Sequence, residues 1–267
     1  MNCPSPLPNQ PDNIAETRRI HERFRASTST ATSQIFMAPK MTIQAYDGCK
    51  LTTLLTMPSD PVKFLRRRCE IMQRLIRNHG KFTLSPDKRR SPFEALVRAV
   101  AHQQLNGTAA NAILKRFRAL FPGQRFPRPD QLAALPDDAL RSVGFSRAKI
   151  LAIRDIAEKT LSGIVPTGRQ IERMADEEII ERLTQVRGVG RWTVEMLLIF
   201  KLGRADVLPV DDFGIRNGYR IAFGLTDLPK PKEILAFGER WRPYRTTASW
   251  YLWRAADGGR NASKFKV

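Results

Sequence analysis

The sequence predicts an all-α protein, and three observations predict it. From Pro61 onward, apolar residues recur at spacings of three and four, the helical period, and not in alternation. The periodic stretches are separated by short connections rich in Pro or Gly. No series of alternating strands and no internal repeat breaks the pattern.

Residues 1–60 are expected to be a disordered or weakly structured extension. Pro4, Pro6, Pro8 and Pro11 crowd its start, Ser27 to Ser33 reads STSTATS, and Leu51 to Thr56 fits a short strand or coil equally well. Val62 to His79 sets Phe64, Leu65, Cys69, Met72, Leu75 and Ile76 on one helical face and stops at Gly80. Ser91-Pro92-Phe93-Glu94 is a helix start: Ser caps, Pro suits the first helical position, and Glu three residues on completes a capping box. That helix is expected to reach about Leu105, and another to span Gly107 to Leu120. Further helices are expected over Asp137 to Val143, Ser146 to Leu161, Ala175 to Val186, Arg191 to Leu202, Asp212 to Phe223, Pro231 to Arg240 and Tyr244 to Ala256.

Charge supplies the first functional indication. Lys and Arg number 45 against 26 Asp and Glu, a net +19 over 267 residues. Such a surface attracts polyanions, because neutralised phosphates release condensed counterions. A hydrophobic share of 42% with 27% charged residues is a globular balance, not a disordered one. No apolar run approaches the roughly 18 residues that a membrane span needs, and the N-terminus lacks the apolar core of a signal peptide. Cys3, Cys49 and Cys69 are too few for a disulfide scaffold, which suggests a reducing compartment. His21, His79 and His102 are not spaced as metal ligands.

The segment from Leu183 to Thr193 reads LTQVRGVGRWT. Gly188 and Gly190 flank Val189 just ahead of a helix. This helix–Gly-x-Gly–helix unit can grip a DNA strand by its backbone, without reading sequence, although an ordinary tight turn between helices uses the same residues. About 20 residues on, Leu208 to Arg216 reads LPVDDFGIR, with Asp211 and Asp212 side by side where a helix begins. An acidic pair on so basic a chain serves either as a helix cap or as a carboxylate facing positive charge in a pocket.

Together VRGVGRWT and PVDDFGIR resemble the helix-hairpin-helix DNA glycosylases with their trailing Gly/Pro–Asp motif, and most of all the alkylation-repair branch, the DNA-3-methyladenine glycosylase II group. AHQQL (101–105), VGFSRAK (143–149), WRPYR (241–245) and YLW (251–253) extend the likeness in order over residues 61–267. The resemblance implies two helical subdomains with a catalytic cleft between them, a hairpin at about 176–203, and little or no N-terminal β-domain. It implies base flipping, release of alkylated purines such as 3-methyladenine, and an abasic product. Its catalytic aspartate falls on Asp212, with Asp211 as the fallback.

By the same resemblance, Trp192, Phe213, Trp253 and Met196 line the base pocket, with Trp241 as either pocket or core. Arg187, Gly188, Val189, Gly190, Arg191 and Thr193 meet DNA from the hairpin. Gln104 or Leu105 supplies the wedge that fills the gap left by the flipped base, unless Leu105 belongs to the core. The backbone carbonyls of Thr184, Val186 and Val189 match a site for Na+ or K+. Relatives that also cut the strand carry a lysine where this chain has Trp192, so a monofunctional enzyme is implied. No cysteine follows Cys69, so the four-cysteine iron–sulfur loop of other relatives is not expected. Two departures stand out: Arg187 replaces a frequent Pro, and Met196 replaces an aromatic.

Double-stranded DNA with damaged bases is the expected partner, with the protein as a monomer in the nucleoid of a bacterial cytoplasm or in a eukaryotic nucleus. The alternatives are a glycosylase for deaminated or oxidised bases, a non-enzymatic hairpin DNA-binding module, and a basic scaffold protein.

Overall fold

The computed structural model describes residues 60–258, so the expected N-terminal extension and the Leu51 to Thr56 stretch fall outside the described residues. These residues form helices α1 (Pro61–Arg68), α2 (Glu70–His79), α3 (Pro92–His102), α4 (Gly107–Ala119), α5 (Pro129–Ala134), α6 (Asp137–Ser142), α7 (Arg147–Leu161), α8 (Gly168–Arg173), α9 (Asp176–Leu183), α10 (Arg191–Leu197), α11 (Phe213–Phe223), α12 (Pro231–Gly238) and α13 (Arg245–Ala256). No strand occurs among them.

Most elements form where periodicity and caps placed them. Ser91 Oγ accepts the Glu94 N–H at 3.1 Å, and Asn106 and Ser146 cap α4 and α7 in the same way; the expected capping box does not close, because the Glu94 carboxylate accepts from Arg98 and Arg125 instead. Three further expectations are corrected. The run Val62 to His79 is two helices, because Cys69, whose side chain is buried, takes an extended backbone (φ −150°) between them. The helix from Arg191 loosens into a π turn over Leu198–Leu202 and ends on a left-handed Gly203. Helices α5 and α8 were not anticipated; each has six residues and one buried apolar anchor, Leu132 or Ile171, too short for a period to show.

Two helical groups share one continuous core. In the first, α3, α5 and α6 pack on α7, and α10 lies against α3 and α9. In the second, the chain's beginning and end meet: α13 packs on α1, α2 and α11. Every residue of α13 from Thr246 to Ala255 is buried, as befits a helix enclosed on all sides. The stretch from Arg204 to Asp212 passes from one group to the other. It is tied to the first by Arg204–Asp176 (3.0 Å) and to the second by Arg245–Asp206 (2.7 Å) and the Val207 N–H to Thr246 Oγ1 (3.0 Å). Asp212 stands at its end.

Candidate active site and DNA-facing elements

The Asp212 carboxylate is held by three donors from three segments. As N-cap of α11 it accepts the Ile215 N–H on Oδ1 at 2.8 Å. The same oxygen accepts the indole N–H of Trp253, from α13, at 2.8 Å. Oδ2 accepts the indole N–H of Trp192, from α10, at 2.7 Å. Capping and site chemistry, rival readings of the acidic pair in the sequence, coexist in this one residue. Asp211 is exposed.

Missing side chains make this contact close. A Cβ on Gly214 would lie 2.8 Å from Trp253 Cδ1 and 3.0 Å from Asp212 Oδ1. A Cβ on Gly218 would fall 1.9 Å from the Leu252 carbonyl oxygen, so the glycine lets α11 and α13 approach at backbone distance. Either added methyl would push the indole away from the carboxylate.

Behind the carboxylate the wall is aromatic. Trp253 stacks on Phe200 with ring centroids 5.6 Å apart and planes 26° apart. Phe200 and Met196 line an open cleft between α3, α10 and the loop before α3, into which Asp87, Arg90, Thr193 and Lys201 also face. Of the expected pocket residues, only Met196 lines this cleft. Trp192 is 44% exposed and bonds Asp212 outside it, and Trp253 is almost fully buried, so its ring backs the carboxylate and Phe200 and is not a pocket face. Phe213 does not line this cleft; it is 67% exposed at the first residue of α11. Trp241 is fully buried core. Phe200 was missed because the π turn shifts its register relative to the helical period.

The hairpin joins α9 to α10. Gly188 has φ +74°, a conformation that favours glycine, and a Cβ there would meet Ala152 Cβ at 3.1 Å. Gly190 is different: its backbone is ordinary (φ −87°) and a Cβ would touch nothing in the chain. Arg187 and Arg191 are exposed, whereas Val189 and Thr193 bury their side chains, which leaves those two only backbone to offer a strand.

Where Arg187 replaces the frequent Pro, it gains an N–H, and this donates to Asp155 Oδ2 of α7 at 2.6 Å. Lys159 donates to the same carboxylate at 2.8 Å and to the Gln185 carbonyl at 2.6 Å. Burial pushes the Asp155 carboxyl up, but the Arg187 N–H and the Lys159 ammonium outweigh it and hold it below the ordinary carboxylate value. At the start of α10, Arg191 pairs with Glu177 (2.8 Å) and with the buried Glu195 (3.2 Å). Burial pushes the Glu195 carboxyl up to about 7 against the pull of Arg191, and the negative charge of Asp211 adds to the rise.

The loop after α3 lies against this hairpin. Gln103 Nε2 donates to the Gly188 carbonyl at 2.9 Å, a bond that sequence reasoning missed because it joins backbone to side chain across 85 positions. Gln104 has φ +57° and, among the described residues, no other non-glycine residue has a positive φ. Leu105 is 39% exposed and so is not core.

This architecture has close relatives. A family described as "HhH-GPD superfamily base excision DNA repair protein" matches residues 97–243. The chain is 42% identical over 216 residues to DNA-3-methyladenine glycosylase 1 of Schizosaccharomyces pombe, covering 81% of this chain and 94% of that one. A solved structure described as the S. pombe 3-methyladenine DNA glycosylase in complex with abasic DNA superposes with TM-score 0.66 at 44% identity, over 73% of this chain and 95% of that one. A DNA-3-methyladenine glycosidase from Bacillus halodurans gives TM-score 0.68 at 36% identity, over 74% and 90%. With an aspartate at the head of α11, a Gly-x-Gly hairpin twenty residues before it and this match across more than half its length, the chain belongs to the helix-hairpin-helix Gly/Pro–Asp superfamily of base excision DNA repair proteins.

Proposed function

We propose that this protein is a monofunctional DNA glycosylase that hydrolyses the N-glycosidic bond of alkylated purines, such as 3-methyladenine, in duplex DNA and leaves an abasic site. The observation that carries the reading is the Asp212 carboxylate, fixed by two indole N–H groups and one backbone N–H, with the Trp253 indole stacked on Phe200 behind it. The names of the relatives described above support the substrate class.

The chemistry follows from that geometry. A stacked base is out of reach and must be flipped, at a cost of a few kcal/mol. Alkylation at a ring nitrogen makes the purine cationic, and the electron-rich ring of the exposed Trp192 favours such a charge. The base then departs with the electron pair of the glycosidic bond, which leaves positive charge on the sugar at C1′. Asp212, already oriented by its three donors, stabilises that charge without reorganising. Water adds to C1′ and passes its proton to the carboxylate. Trp192 occupies the position where strand-cutting relatives place a lysine and donates to Asp212 instead, which supports hydrolysis without a lyase step.

The hairpin holds the strand in this reading, with Arg187, Gly188, Gly190 and Arg191 at its surface and the backbone of Val189 and Thr193 between them. The wedge comes from Gln104 or Leu105, both exposed. The carbonyls of Thr184, Val186 and Val189 would supply oxygen donors of the kind that Na+ or K+ takes. The Val186 carbonyl already accepts the Val189 N–H at 3.0 Å and keeps a second lone pair for an ion. Such an ion would brace the turn, and no chemical step depends on it.

The test incubates purified protein with duplex DNA treated with a methylating agent and analyses both free bases and strands. Free methylated purines, with strand breaks only after alkali, are expected. DNA binding without base release would favour the binding module, and breaks without alkali would contradict the monofunctional reading.

A further inference from the structure

The loop after α3 and the hairpin come from segments some 85 positions apart, yet they are fastened together. Gln103 Nε2 donates to the Gly188 carbonyl at 2.9 Å and lies 3.5 Å from Thr193 Oγ1, so one side chain spans the turn of the hairpin and the first turn of α10. From the other side, Lys149 of α7 donates to the Ala101 carbonyl at 2.9 Å, in the last turn of α3. The same α7 carries Asp155 and Lys159, which hold Arg187 and Gln185 of the hairpin. Helix α7 therefore anchors both partners, and Gln103 joins them directly.

Between these anchors the chain leaves little freedom. The Gln103 N–H still bonds to the α3 carbonyls of Ala99 and Val100. Asn106 already caps α4, with Oδ1 accepting the Ala109 N–H at 2.8 Å. The two residues between, Gln104 and Leu105, project outward, and Gln104 does so from a left-handed backbone (φ +57°) that only surrounding structure sustains. The Gly188 carbonyl bonded by Gln103 belongs to the residue whose own φ of +74° shapes the hairpin turn.

We infer that Gln103 is a positioning residue that fixes the wedge loop, Gln104 and Leu105, at a set distance from the strand-gripping hairpin. The inference rests on the glycosylase reading above and on the wedge within it. Gln103 itself touches neither the base nor the sugar. Its bond to Gly188 makes the part that pushes and the part that holds the backbone move as one body, so a base is displaced where the strand is held.

The consequence is selective. Losing the tie should slow excision only where the base must be levered out of a pair, because displacing a small group in a flipping step costs rate while a base already unpaired needs no lever. The test measures single-turnover base release from two duplexes that carry one methylated purine, either opposite its pairing partner or opposite a tetrahydrofuran abasic analogue. Gln103→Met keeps length and bulk without a donor. It is expected to slow release from the paired duplex roughly ten-fold. Release from the unpaired one, and the melting temperature, should stay close to the wild-type values.

Leu105→Ala and Gln104→Ala serve as wedge controls, and at least one is expected to show the same selectivity. If a wedge control is selective and Gln103→Met slows both duplexes equally, or neither, the positioning role is overturned. If both wedge controls leave the paired-to-unpaired ratio unchanged, the wedge reading beneath the proposal fails, and the proposal fails with it.

Discussion

Asp212 performs two tasks at once: it ends the approach to α11 as a cap and presents a carboxylate whose position three donors determine. The residue that permits this is Gly214, whose missing Cβ leaves space for the Trp253 indole. Gly214→Ala is expected to displace Trp253 and lower base release by about ten-fold or more, while stability falls by no more than about 2 kcal/mol. Excision rates and denaturant melts on the same preparation check this. Glu195 supplies a pH-dependent term. Burial raises its folded pKa from the ordinary 4.5 to about 7 in a cluster with Arg191, Glu177 and Asp211. The folded protein thus holds this proton more tightly than the unfolded chain. The resulting stabilisation is complete below about pH 4.5 and lost as pH rises through 7. Glu195→Gln should remove roughly 1–3 kcal/mol of pH dependence between pH 5 and 8, visible as a flatter melting temperature across that range.

At the level of elements, most helices were legible because their periods are long and their caps standard. Ser91, Asn106 and Ser146 cap as their residue types suggest. What escaped was non-local or too short. The break at Cys69 interrupts a continuous apolar face, and α5 and α8 each bury a single residue. The hairpin was legible as Gly-x-Gly, but its two glycines differ in purpose. Gly188 is demanded by its backbone, whereas nothing inside the chain requires Gly190 to lack a side chain. The space beside Gly190 suits a close-lying strand. Gly190→Ala should therefore leave stability within about 1 kcal/mol of wild type and weaken binding to duplex DNA by about ten-fold. A titration of both proteins against an undamaged duplex measures this; equal affinities would remove Gly190 from the interface.

Across the whole molecule, the site is assembled from segments that sequence order keeps apart. Trp192 comes from the first helical group, Trp253 from the closing helix of the second, and Asp212 from the passage between them. The sequence motifs pointed to all three residues, because each belongs to a recognisable run. They could not reveal that the two indoles bond one carboxylate, or that Phe200 backs Trp253, since these contacts depend on how closely α11 meets α13 at Gly218 and on the π turn after α10. Phe213, beside the aspartate in sequence, proved to face solvent because the helix it begins turns it away from the cleft. The central claim is that this assembled carboxylate drives bond cleavage. Asp212→Asn tests it most directly, since asparagine still caps a helix and the change leaves the DNA-facing elements in place. Single-turnover release of methylated purines, measured with a protein shown to be folded and DNA-bound, should fall by at least about 100-fold. Release at the wild-type rate would contradict the account.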